Sequence, residues 1–563
     1  MRGAAGMMRD DSPAVDVPPE TMPTIAPRLL TDLLDKAVTH HGAWPAIDFM
    51  GRRWTYAELG EQVRRVARGL QDLGVKPGTR IGLCLPNTPY FVIFYFAILR
   101  VGGVVVNFNP LYVERELKHQ ILDSGATIMV VPDLKLIHAK VAKIAGETGL
   151  AHIVVCPFGA ALPPVKRMAF ACLKRREVAH IPDDALHVRY AELVADDADP
   201  DPVALSSNDL AVLQYTGGTT GLPKGARLSH ANLAANSAQM IMHVGHLPDS
   251  QERTLGVLPL FHVFALTTVL NYSVDTAAEM VLLPRFEMKQ FLATIRRTRP
   301  TQFFGVPTIY SAMAALPERE APDLGTIKTC ISGGAPLPLE IRHAFESRYG
   351  CRLVEGYGLS EASPIIACNP CEGLVKDNSC GPAFPETVLE IRSLDDPHRL
   401  LGVGERGEVC ARGPQVMQGY WNRPDESANV FVDGALRTGD VGYLDEDGYL
   451  FLVDRIKDLI LCGGYNVYPR VIEDALYEHP SVGEAVVIGI PDDYRGQSPK
   501  AFVALRAGMH ADEAELCAFL KERLSKIEMP SQIEIRDSLP KTLIGKLSKK
   551  ALADEEASKR AAA

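Results

Sequence analysis

The densest chemical signal in the chain is Tyr215-Thr-Gly-Gly-Thr-Thr-Gly-Leu-Pro-Lys-Gly225. Gly217, Gly218 and Gly221 let backbone N–H groups close on a polyanion with no Cβ in the way. The hydroxyls of Thr216, Thr219 and Thr220 can donate to phosphate oxygens, and Lys224 supplies a positive charge. A plain Gly/Thr turn is the bland alternative, and the lysine at its end argues for a triphosphate site instead. This is not a Walker loop, which needs Gly, four residues and then Gly-Lys-Ser/Thr, because Lys224 stands between Pro223 and Gly225. Downstream come Leu258-Pro-Leu-Phe-His-Val-Phe-Ala-Leu266, Ser332-Gly-Gly-Ala-Pro-Leu337 and Glu355-Gly-Tyr-Gly-Leu-Ser-Glu-Ala-Ser-Pro364. Then follow Arg437-Thr-Gly-Asp440, Asp454-Arg-Ile-Lys-Asp-Leu-Ile460, Cys462-Gly-Gly-Tyr-Asn-Val-Tyr-Pro469 and Pro540-Lys-Thr-Leu-Ile-Gly-Lys546.

In this order, these stretches resemble the motifs of the adenylate-forming superfamily: acyl-CoA synthetases, luciferases and peptide-synthetase adenylation domains. The Gly-Gly loop is most like that of the medium- and long-chain fatty-acid–CoA ligases. The resemblance runs from about residue 30 to 550 and implies a role for each motif. Thr216 and Glu361 would hold Mg²⁺, a hard cation that takes oxygen ligands. Gly333, Gly334 and Ala335 would lie under the adenine and beside the acyl chain. In the segment Glu355, Gly356, Tyr357 and Gly358, the tyrosine would stack on adenine, and Ser360 would approach the α-phosphate. Asp440 would accept both ribose hydroxyls. Arg455 would touch the nucleotide. Lys457 would be the hinge between a large domain and a small mobile one. Gly463 and Gly464, with Tyr465 beside them, would admit the thiol arm of CoA. Lys224, His262 and Lys546 would act at the reacting groups, Lys546 bridging the substrate carboxylate and the α-phosphate. Amino-acid-activating relatives carry an Asp in the His262 segment. None occurs between Leu258 and Leu270, so Phe261, Val263, Phe264 and Leu266 suit an apolar acid.

Positioning these residues requires a scaffold, and the pattern around them is α/β. Val63, Val66, Ala67, Leu70 and Leu73 recur at helical spacing, and Gly74 ends that helix. Arg80 to Leu85, Val104 to Phe108 and Ala126 to Val131 read as buried strands separated by helices such as Tyr90 to Leu99. That alternation predicts parallel sheets, which bind ligands at the carboxyl ends of their strands. Asp209 to Gln214 reads as the strand delivering the phosphate loop, with Ser229 capping the helix that follows. Asp445 to Leu450 reads as a hairpin turn. The expected architecture is a leader over 1–26, a large multi-subdomain domain over 27–456, a small α+β domain over 457–550 and a frayed tail over 551–563. The resemblance adds a β-barrel-like part to the large domain.

Composition sets the outer limits. The chain has 563 residues, 47% apolar content and a net charge of −10, which argues against general nucleic-acid binding. Its 11 cysteines are scattered and odd in number, which suits free thiols in a reducing cytoplasm. Cys368 and Cys371 have CxxC spacing, but no second pair follows to complete a zinc site. The leader lacks a signal-peptide core, and no run of 18 apolar residues predicts a membrane span. Residues 163–176 put a short apolar segment among five basic residues, Lys166, Arg167, Lys174, Arg175 and Arg176. Two readings stand there: a helix packed on its own domain, or one lying on an anionic membrane surface.

The expected function is ligation of a fatty acid to CoA through an acyl-adenylate, with ATP, Mg²⁺ and CoA. A dicarboxylic or aromatic acid, or a carrier protein as acceptor, is the alternative within the superfamily. A catalytically silent nucleotide-binding protein is the alternative outside it. The sequence leaves a homodimer open.

Overall fold

A computed structural model of the protein describes residues 24–216, 223–245, 250–462, 465–492, 494–542 and 546–562. Two large sheets carry most of the motif-bearing strands. The first has seven strands, with Leu210–Thr216 lying beside Val104–Asn107 in the parallel run and Lys224–Ser229 closing one edge antiparallel. Arg80–Leu83, Val104–Asn107 and Ile128–Pro132 all lie in it, parallel as the alternation predicts. Their apolar, β-branched runs are buried on both faces, as such strands require. The second sheet has eight strands and contains Thr329–Ser332 and Val354–Gly358 in parallel register, Ser332 opposite Glu355. Thus the Gly333–Ala335 turn and the Glu355 segment leave adjacent strands at the same sheet end.

Local signals explain the helices. Tyr56–Asp72 opens on a capping box in which Thr55 accepts from the Glu58 N–H and the Glu58 carboxylate accepts from the Thr55 N–H. Its apolar stripe includes Val63, Val66, Ala67 and Leu70, all buried. His230–Val244 is capped by Ser229 as expected, the hydroxyl accepting from Asn232 at 3.1 Å.

A five-stranded antiparallel sheet forms the barrel-like part. It contains Ala435–Leu444 and Leu450–Arg455, joined by the predicted hairpin turn. Residues 460–562 carry a further five-stranded sheet with a core on each face. Ile472, Leu476, Leu516 and Leu520 cover one face, and Phe502, Leu539 and Leu552 fill the other.

Two expectations need correction. The segment read as a frayed tail is a helix, Lys549–Ala562. Leu552 is fully buried, Arg536 grips Glu555 at 2.7 and 2.8 Å, and Lys500 reaches Glu534 and Glu556 at 2.9 Å each. One apolar anchor and several charge pairs to distant strands leave no local periodicity to read. The strand expected over Arg80 to Leu85 stops earlier, at Leu83. Of the leader, residues 1–23 lie outside the described residues, and the Ile25 N–H donates to Glu386 at 2.6 Å.

Candidate active site

The phosphate loop closes a hairpin. Thr216 pairs with Lys224 as the last register of the two strands, so the lysine returns beside the threonine. Gly217, Gly218, Thr219, Thr220 and Gly221 lie outside the described residues. Lys224 forms an ion pair with Glu426, and its ammonium lies 5.3 Å from the centre of the Tyr420 ring. The Tyr420 hydroxyl donates to Glu361 at 2.8 Å. The hairpin is held from behind by Asp123, which accepts from Tyr215 at 2.6 Å and from Arg423 at 3.0 Å.

A cavity of about 1630 Å³ opens in front of this hairpin. Its lining brings together Thr216, Lys224, His262, Gly333, Gly334, Ala335, Glu355, Gly356, Tyr357, Gly358, Ser360, Glu361, Asp440, Arg455, Lys457 and Lys546. Residues more than 300 apart in the chain therefore meet in one space. Tyr465 is the exception: it is 67% exposed on the Tyr465–Val467 strand and does not line the cavity. Gly463 and Gly464, beside it, lie outside the described residues.

Lys546 enters across Gly334. That glycine has φ +80°, and a Cβ there would stand 3.1 Å from the lysine Cε and 3.3 Å from Nζ. No carboxylate lies within ion-pair distance of this ammonium among the described residues. Burial and the Arg455 cation push its pKa down to about 8, with Asp440 pulling the other way. His262 sits at the start of the Val263–Ala265 helix, where its Nδ1 accepts from the Phe264 N–H at 3.3 Å. Burial, then the Lys546 cation, push its pKa down to about 3, so the ring is neutral at physiological pH. With Nδ1 accepting, the ring proton is assigned to Nε2, leaving a donor free.

Asp440 accepts from Tyr357 at 2.6 Å and pairs with Arg455 at 3.0 Å. Lys457 follows in the Ile456–Asp458 turn, its pKa lowered by burial and by Arg455. Glu355 lies beside Cys380, whose Sγ is 3.8 Å from the carboxylate. Burial raises its pKa to about 7, and the Arg470 cation opposes the rise.

The opposite wall is apolar. Phe264 stacks so closely on Gly333 that a Cβ there would stand 2.9 Å from the ring. Val263, Val306, Ala312, Ala315, Ile331 and Ile341 extend this wall. Leu266, expected beside the acid, is instead fully buried at the start of a π-helical turn, Leu266–Asn271.

Glu426 and Asp123 do not stand out in the sequence, and Tyr420 stands out only as part of Gly419-Tyr-Trp421, a run that continues the family resemblance with no role attached. Each acts on a partner at least 59 positions away, so no local spacing betrays them. Two oxygen donors, Thr216 and Glu361, line the cavity, and no group of three or more His, Cys, Asp or Glu side chains suited to a metal occurs among the described residues. That donor set fits a hard divalent cation completed by phosphate oxygens and water.

Polar groups and an apolar wall thus share one cavity, which Lys546 enters from the segment between the Gln532–Arg536 strand and the Lys549–Ala562 helix. Residues 34–421 match the model of the AMP-binding enzyme family, and 471–546 match that of the AMP-binding enzyme C-terminal domain. The chain belongs to the AMP-binding enzyme family. Among curated proteins, a long-chain-fatty-acid–CoA ligase of Bacillus subtilis is 41% identical over 516 residues, covering 91% of each chain. Among solved structures, ATP-bound MatB from Rhodopseudomonas palustris superposes with TM-score 0.82 at 29% identity, over 93% of this chain and 98% of that one. Apo MatB, at the same identity and coverage, superposes with TM-score 0.73. Within the family the chain falls with the acyl-CoA ligases, which use ATP, Mg²⁺ and CoA.

Proposed function

We propose that the protein activates an aliphatic fatty acid of medium or long chain and transfers it to CoA. The observation that carries this reading is the Lys546 ammonium, held unpaired over Gly334 where the apolar wall meets the polar cleft. In the first half-reaction, a carboxylate oxygen attacks the α-phosphate of ATP, forming the acyl-adenylate and releasing pyrophosphate. Lys546 holds the carboxylate against the phosphate and offsets the charge that grows there. His262 donates from Nε2 at the same junction. Lys224 leaves Glu426 for the outer phosphates, Tyr357 and Asp440 hold the nucleoside, and Arg455 stays beside Asp440. Thr216 and Glu361 would hold a magnesium ion, which would supply positive charge to neutralise the phosphates.

In the second half-reaction, the CoA thiol attacks the acyl carbonyl, loses its proton, and AMP leaves. The C-terminal part turns about Lys457, withdraws Lys546 and presents the Gly463–Gly464 loop with Tyr465. The exposed Tyr465, and the higher score to the ATP-bound neighbour, support reading the present arrangement as the one for adenylation.

Acid-dependent AMP release with CoA and Mg-ATP tests the reading, on a panel from hexanoate to oleate with pimelate, benzoate and coumarate added. A maximum on an aliphatic monoacid is expected, and its position gives the tunnel length. A maximum on pimelate or an aryl acid keeps the two half-reactions and overturns the substrate class.

A further inference from the structure

The helix Pro164–Leu173 turns its apolar side to solvent. None of its residues is buried, and Val165, Met168 and Leu173 are 76%, 67% and 81% exposed. By helical geometry, Val165, Met168, Ala169, Cys172 and Leu173 share one outward arc. The opposite side touches the protein. Phe170 packs on Phe158 with ring centres 5.4 Å apart, and the Lys166 ammonium donates to the Met50 carbonyl at 2.8 Å. A surface helix of a globular protein normally does the reverse, burying its apolar stripe.

Positive charge frames the arc. Lys174, Arg175 and Arg176 follow the last turn, all exposed, and Arg167 is exposed on the side away from the arc. Arg52 and Arg167 share a shallow cavity of about 560 Å³ at the helix foot. Glu177 is the nearest acid in sequence, and it pairs with Lys174. This basic strip belongs to a chain whose net charge is −10, so it is a local feature and not a general one.

We propose that the outward face of Pro164–Leu173 and the basic residues after it form a docking surface for an anionic lipid bilayer. Apolar side chains sink into the acyl boundary while lysine and arginine meet the headgroups, the arrangement of helices that lie in a membrane interface. The choice of lipid over an acidic protein rests in part on the proposed fatty-acid substrate, an amphiphile that partitions into bilayers. Docking would place the enzyme where that substrate is concentrated.

Flotation of the full chain with vesicles separates this proposal from the substrate reading, because it needs no turnover. Flotation with phosphatidylcholine vesicles containing roughly one third phosphatidylglycerol is expected, with little on phosphatidylcholine alone and a loss in about 0.5 M salt. The double variant Met168→Asp with Leu173→Asp should lose about tenfold in vesicle affinity. So should the triple variant Lys174→Glu, Arg175→Glu, Arg176→Glu. Both should keep normal acyl-CoA formation from dissolved hexanoate. Leu136→Asp, at an equally exposed apolar position elsewhere, should float like the parent chain. Absence of flotation on anionic vesicles overturns the proposal, as does equal flotation of the parent chain and both variants. Capture of an acidic protein by the parent chain, without vesicle binding, overturns it too.

Discussion

Two lysines reach the same cavity from opposite sides and are held in opposite ways. Lys224, on the hairpin of the seven-stranded sheet, is already neutralised by Glu426 and cushioned by Tyr420. Lys546, carried in between the Gln532–Arg536 strand and the Lys549–Ala562 helix, has no carboxylate at ion-pair distance among the described residues and sits beside a second cation, Arg455. A charge of the first kind costs little to keep and must be detached before it can hold a ligand. A charge of the second kind is held at a cost in desolvation that only an arriving anion offsets. The difference suggests a division of labour: Lys224 exchanges one anion for another when ATP binds, whereas Lys546 is poised for charge that appears during reaction.

The largest expected effect follows from that contrast. Lys546→Ala should slow adenylation by about 10²–10³-fold, the usual size for losing one donor aimed at developing charge. Pyrophosphate exchange measures it. Conversion of supplied acyl-adenylate to thioester should survive, because Lys546 has withdrawn by then. Normal exchange in this variant would sink the assignment.

Lys224→Ala should weaken ATP binding by about 10- to 100-fold, the range for a charge-assisted hydrogen bond, and appear mainly in KM. Glu426→Gln sharpens the comparison, since it frees Lys224 without removing it. ATP should then bind at least as tightly as in the parent chain. Weaker binding in Glu426→Gln would show that the carboxylate serves the nucleotide and not the resting lysine.

The pH profile separates the two lysines again. Lys546 must be protonated to act, and its pKa stands near 8 in the ligand-free site. Adenylation kcat/KM, which reports the free enzyme, should therefore fall about tenfold per pH unit above about 8. His262, with a pKa pushed to about 3, stays neutral and should add no limb between pH 5 and 8. Lys546→Arg should move the alkaline limb upward if it retains activity, because guanidinium does not titrate there.

The same contrast shows what the sequence could and could not reveal. Thr216–Lys224 lies inside a run whose glycines announce a close approach to phosphate, whereas Lys546 was legible only through the family resemblance of its motif, since a lysine near the C-terminus otherwise looks like solvated charge. The parallel strands were equally plain, because burial on both faces demands continuous Val, Ile and Leu. Glu426 was silent, since a carboxylate that neutralises a lysine two hundred positions away looks like any solvated charge. The C-terminal helix was silent for the same reason: Glu555 and Glu556 are held by Arg536 and Lys500, on other strands. Leu266 misled because its segment is apolar throughout, and only the π-helical turn decides which residues face the cavity.

The smallest effect concerns how Lys546 is kept in place. Lys549, three residues on, lies 3.1 Å from Glu473 and 3.9 Å from Asp454. Asp454 in turn accepts from the backbone N–H groups of Arg455 and Arg470 at 2.8 Å each. One carboxylate thus ties the strand bearing Arg455 to both the Pro469–Tyr477 helix and the C-terminal helix. Lys549→Met should reduce adenylation by about fivefold, the scale of a partly exposed ion pair, and Lys549→Arg should recover most of it. Thioester formation from supplied acyl-adenylate should stay unchanged, because it needs Lys546 elsewhere. An equal fall in both half-reactions would make Lys549 a support of the fold rather than of the Lys546 position. A fall in adenylation alone would extend the contrast drawn above: Lys224 is restrained by its own ion pair, and Lys546 by its neighbour's.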